Sequence, residues 1–187
     1  MTRLIYVALG SLALAACGDD PVSYSEPVGL TLKAKSSDTV NNVVTDDKGI
    51  NTESGNPYGA FISNAKREIG RDPASIDVEQ VTVFLGAGSI GVARLGEVFT
   101  GNVEVLVQMN DTNNSYPVAA STIDAAATGG PLELNPAFDS NGVPDLDYGK
   151  LLAGSFKVVI RGPAATGFTS KGADADVQVT LTFAAYE

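Results

Sequence analysis

The chain has 187 residues, with 12 Lys+Arg against 22 Asp+Glu, one cysteine, no tryptophan and no histidine. Without histidine there is no Ser-His-Asp triad, no Cys-His pair and no His-bearing zinc site. A net charge of −10 argues against nucleic acid and anionic lipid heads as partners.

The first segment reads as an export signal. Arg3 is the only charge before Asp19, and Leu4 to Ala16 is almost wholly apolar. This stretch is shorter than the ~20 residues a spanning helix needs. It ends in Leu14-Ala15-Ala16-Cys17, small residues set before a cut site. The segment resembles the signal peptide and lipobox of bacterial lipoproteins. That resemblance implies cleavage before Cys17, lipidation of its sulfur and acylation of its amine with chains such as palmitate. Several acyl chains anchor stably where one would be marginal, since each buried CH₂ contributes about 0.8 kcal/mol. In proteobacterial lipoproteins an Asp directly after the cysteine favours the inner membrane. Here Gly18 precedes Asp19 and Asp20, so the expected site is the outer membrane of a bacterial cell envelope. Loss of residues 1–16 removes Arg3 and no acid, leaving the mature chain at −11.

Residues 17–27 hold two prolines and three acids and read as a lipidated tether. Residues 28–187 then read as one domain. Leu30, Leu32 and Ala34 alternate with Thr31, Lys33 and Lys35, the period of a half-buried strand. Further alternating runs lie at Val81–Leu85, Val103–Met109, Phe156–Ile160 and Val177–Phe183, with weaker ones at 39–45, 92–99 and 116–123. Between Asn56, a capping residue, and Gly70, a terminator, Tyr58, Phe61, Ile62, Ala65 and Ile69 share one helical face. This helix is expected to plug one end or edge of the sheets. A second short helical turn is expected at Leu146–Leu152. Turn-rich pieces fall at 46–49, 111–114, 128–131 and 140–142. The pattern predicts an antiparallel β-sandwich, immunoglobulin-like or similar, with one short amphipathic helix.

Three motifs invite chemistry. Gly86-Ala87-Gly88-Ser89-Ile90-Gly91 matches the dinucleotide fingerprint. The helix it needs would contain Gly96 and Gly101, and no βαβ repeat comes after it, so the expectation is a loop between strands and no dinucleotide. Asp139, Asn141, Asp145 and Asp147 resemble the spaced ligands of EF-hand and thrombospondin type 3 calcium loops, making calcium the one candidate cofactor. On the EF-hand pattern the first and last ligand places are Ala137 and Tyr148, so two strong ligands are missing. Ser63 and Lys66 have the spacing of a Ser-x-x-Lys pair, but its companion motifs are absent.

These observations point to a membrane-anchored, non-enzymatic binding or structural module. Its expected partner is a protein or glycan of the envelope, met through loops 46–57 and 110–116. The alternative is an exported carboxylate-dependent hydrolase assisted by calcium.

Overall fold

The computed structural model describes residues 22–53 and 55–187. Cys17 and residues 18–21 of the expected tether lie outside these. Eight strands and two helices occur in order: β1 (Ser23–Lys35), β2 (Val43–Ile50), α1 (Pro57–Ile69), β3 (Ser75–Leu85), β4 (Gly101–Met109), β5 (Ser115–Ile123), β6 (Leu132–Pro136), α2 (Asp145–Leu152), β7 (Phe156–Pro163) and β8 (Asp174–Tyr186). The chain is mainly antiparallel β, as the alternation predicts.

The strand order is β1-β8-β3-β6-β5-β4-β7-β2. First pairs with last, second with seventh, third with sixth and fourth with fifth. A long antiparallel ribbon rolled in this way is the jelly-roll pattern. It differs from the immunoglobulin order, in which the strands of one sheet run ABED and those of the other CFG. The roll nearly closes: the free edges of β1 and β2 meet where the Lys33 amide donates to the Asp46 carboxylate at 2.6 Å.

Period-two alternation builds the core. Val28, Leu30, Leu32 and Ala34 of β1 face inward with Val177, Val179, Leu181 and Phe183 of β8. Val103, Val105, Val107 and Met109 meet them from the other wall, with Phe156, Val158 and Ile160. Each such side chain contributes about 1.5–3 kcal/mol on full burial.

Helix α1 forms where the spacing predicts it. The Asn56 side chain accepts from the Tyr58 amide at 3.0 Å, Pro57 takes the first turn, and Gly70 ends the helix at φ 82°. β1 extends past the shorter β2, and α1 packs along that stretch with Phe61 stacked on Tyr24. It thus plugs the open edge of the roll.

Several expectations are corrected. β1 begins at Ser23, so residues 23–27 are sheet rather than tether, paired with β8 from Ser23↔Tyr186 to Pro27↔Thr182. Pro27 is tolerated because β1 is an edge strand. Residues 46–49 continue β2 instead of turning, since pairing with β7 overrides their turn propensity. The turn falls earlier, at Asn41-Asn42, both at positive φ (49° and 61°) between paired Val40 and Val43. Residues 92–99 are not a strand. Leu95, Val98 and Phe99 are buried from a short 3₁₀ turn. β6, five residues ending in a proline, has no counterpart in the alternation pattern.

Because all pairings are antiparallel, the two ends of the roll are fixed. Ser23, Tyr186, both helices and the turns after β2, β4 and β6 lie at one end. The turns after β1, β3, β5 and β7 lie at the other. No helix among the described residues is long and apolar enough to cross a membrane.

Candidate functional site

The predicted calcium loop sits at the end where β1 begins, and its residues do not converge. The Asp139 carboxylate accepts from the Asn141 amide at 2.7 Å and caps a short 3₁₀ turn. Asp145 is exposed in the first turn of α2, where a negative charge suits the helix dipole. Asp147 is buried and accepts three hydrogen bonds from the β4–β5 turn. Thr112 donates at 3.0 Å to one oxygen; Asn114 at 2.7 Å and Tyr116 at 2.6 Å donate to the other. Ligating calcium would mean giving up these donors. No group of three or more metal-ligating side chains occurs among the described residues.

Asp147 is therefore a structural clamp between α2 and the β4–β5 turn, reinforced by Lys150, whose ammonium reaches Asp111 at 3.1 Å. The turn needs this grip, because Asp111 and Asn113 both hold positive φ (66° and 57°). The Tyr116 hydroxyl, then Asn114 and Thr112, hold the Asp147 carboxyl below its ordinary pKa. Burial first, and then Asp147, push the Tyr116 phenol up to about 12. The Asp147 contribution is present above the unfolded carboxyl's pKa and is lost as pH falls through the lowered folded value. Asp147→Ala should lower Tm on the order of 5 °C at pH 7, with the deficit shrinking towards pH 3. Thermal melts across that range check this; a deficit independent of pH would refute the charged role.

A pair of carboxyls lies nearby. Asp77 of β3 bridges backbone-to-backbone with Asp139. Burial first, then the Asp139 charge, raises the Asp77 pKa. One Asp77 oxygen is buried without a hydrogen-bond partner. Asp139, but not Asp77, lines a shallow groove of about 180 Å³ with Tyr116 and Phe138.

The glycine run joins β3 to β4 as a loop at the opposite end. The Gly86 amide donates to the Asp176 carbonyl at 2.7 Å, and the Ser89 hydroxyl accepts from the Asp176 amide at 3.0 Å. A Cβ on Gly88 would lie 2.1 Å from the Asp176 carboxylate. These glycines let the loop lie flat on the start of β8, and the chain then continues into a 3₁₀ turn and the antiparallel strand β4. Ser63 donates to the Gly59 carbonyl at 2.8 Å while Lys66 pairs with Asp72 at 2.8 Å, so the two turn to separate partners. The expected contact loops are also reduced. Residues 110–114 form the clamped turn, and of 46–57 the portion beyond β2 lines a groove of about 320 Å³ beside the start of α1.

No protein-family model matches the chain, and no curated protein matches it. Among solved structures it is similar to a chain from Desmodium yellow mottle tymovirus, at 12% identity and a TM-score of 0.33, over 97% of this chain and 96% of that one.

Proposed function

We propose that this protein is a lipid-anchored module of the bacterial cell envelope, binding or structural rather than enzymatic, held at the outer membrane through Cys17. The observation that carries the reading is the lipobox run Leu14-Ala15-Ala16-Cys17 together with where the chain enters the roll. Ser23 pairs with Tyr186, so a tether arriving at β1 enters at one end. The sheet faces and the turns after β1, β3, β5 and β7 are then presented away from the membrane. Cys17→Ser should abolish acyl labelling and move the protein out of the membrane fraction. Unchanged labelling and fractionation would sink the reading. Crosslinking in intact cells would identify the partner, a protein or a glycan. The rival, a carboxylate-dependent hydrolase, draws on Asp77 and Asp139. The module is favoured because that bridge holds the 137–143 segment onto β3, and because Asp147, one of the four expected ligands of an assisting calcium, is spent on the β4–β5 turn.

A further inference from the structure

The outer face of β1-β8-β3 differs from that of β2-β7-β4. On the opposite wall, the outer face carries ion pairs across the strands: Lys157–Asp47 at 3.2 Å and Arg161–Glu104 at 2.8 Å. On β8, by contrast, the outward residues Gln178, Thr180 and Thr182 are all uncharged. Their register partners continue the pattern. Thr180 lies between Gly29 of β1 and Thr82 of β3; Gln178 lies between Thr31 and Phe84. Charge returns only at the borders: at Lys33 paired with Asp176 at one end, at Glu79 and Asp77 at the other, and at Glu133 on β6.

The chemistry of this patch is specific. Threonine hydroxyls and the Gln178 carboxamide offer donors and acceptors in both directions, and Thr31 already donates to Gln178 at 3.0 Å. They repeat at the sheet's own spacing, roughly 4.8 Å between strands and about 7 Å along them. Phe84 supplies one apolar ring at the edge of the patch. At Gly29 nothing lies within 4 Å of where a Cβ would be, so the surface beside Thr180 is open there. A protein-binding hot spot would be expected to centre on Trp, Tyr or Arg, and there is none between the charged borders of this patch; Tyr186 stands at the border, its hydroxyl donating to Glu79 at 3.2 Å. A charged polymer would find no counter-charge here, within a chain of net charge −10.

We propose that the outer face of β1-β8-β3 binds a neutral polysaccharide, laid across Thr180 and Thr82 with a sugar face on Phe84. This rests on the module reading above and names the class of its partner. An uncharged chain of hydroxyls can exchange its water for these side chains without stripping water from an ion.

The test is affinity electrophoresis of the detergent-solubilised full chain in gels containing dextran, mixed-linkage β-glucan, mannan or hydroxyethyl cellulose. At least one should retard the protein. Thr180→Lys and Phe84→Ala should each weaken retardation at least about tenfold. Thr122→Lys, on the outward side of β5, should leave it unchanged, with melts confirming that all three variants fold. No retardation by any of the four polymers, or equal retardation of Thr180→Lys, overturns the proposal. So does a concentration-dependent dimer abolished by Thr180→Lys, which would make the face a contact between copies. Acylation and membrane fractionation do not depend on this face, so a negative here leaves the anchored-module reading standing.

Discussion

Tyr58→Ala is expected to remove about 4 kcal/mol of folding stability, a large share of the 5–15 kcal/mol typical of a domain. Tyr58 is fully buried and stands where four elements meet. Its ring lies 5.6 Å from Phe61 of the same helix, and 5.0 Å from both Phe156 of β7 and Phe183 of β8, the last two edge-on. Such edge-to-face pairs add about 0.5–1.5 kcal/mol beyond the area they bury. Its hydroxyl donates to the Leu151 carbonyl at 3.0 Å, tying the end of α2 to α1. Truncation would open a cavity under the helix that plugs the roll, and would take one donor from that carbonyl, leaving it the Gly154 amide at 3.1 Å. Tyr58→Phe separates the two effects. It keeps the ring and loses only the hydroxyl, for about 1 kcal/mol. Urea melts of the two variants check the ordering. A Tyr58→Ala loss below about 1 kcal/mol would mean that α1 is not integral to the core.

Much of this architecture is legible in the sequence, and the missing parts share a physical cause. Alternation in Leu30–Ala34 and Val177–Phe183 states which side chains face inward, because the strand period is two wherever one wall is buried. Asn56, Pro57 and Gly70 bound α1 through local capping chemistry, which needs no tertiary knowledge. Neither signal says which strand lies beside which. The jelly-roll order, and with it the adjacency of Thr180 and Thr82, comes from pairing between residues about a hundred positions apart. Asp147 misleads for the same reason. Its spacing from Asp139 and Asn141 suggests calcium, whereas its real partners are Thr112, Asn114 and Tyr116, more than thirty residues upstream. The signal that could have found them is the alternation of polar side chains at 112, 114 and 116 through a turn of left-handed residues. At 46–49, Asp-Asp-Lys-Gly reads locally as a turn. Cross-strand pairing with Val158, Val159 and Ile160 wins there, helped by Asp46 reaching the Lys33 amide and Asp47 reaching Lys157.

Gly96→Ala should be the most damaging small substitution at the end of the roll opposite α1, with a loss of more than about 2 kcal/mol. A Cβ on Gly96 would lie 2.3 Å from the Asp124 carbonyl oxygen and 2.9 Å from the Ala125 carbonyl carbon. Both belong to backbone, so no rotamer change relieves the contact, and one loop must lift off the other. That movement would break the bonds joining the β3–β4 and β5–β6 loops, from Leu95 to the Thr128 carbonyl and from Gly96 to the Ala127 carbonyl. It would also draw Leu95, Val98 and Phe99 out of full burial. Gly142→Ala is the matched control, since nothing lies within 4 Å of its Cβ position. Hydrogen exchange locates the damage. In Gly96→Ala, amides at 95–99 and 124–128 should exchange faster, while those at 112–116, held by Asp147 at the other end, keep their protection. Uniform acceleration across both ends would show that the two loop clusters unfold as one unit and that Gly96 acts through global stability.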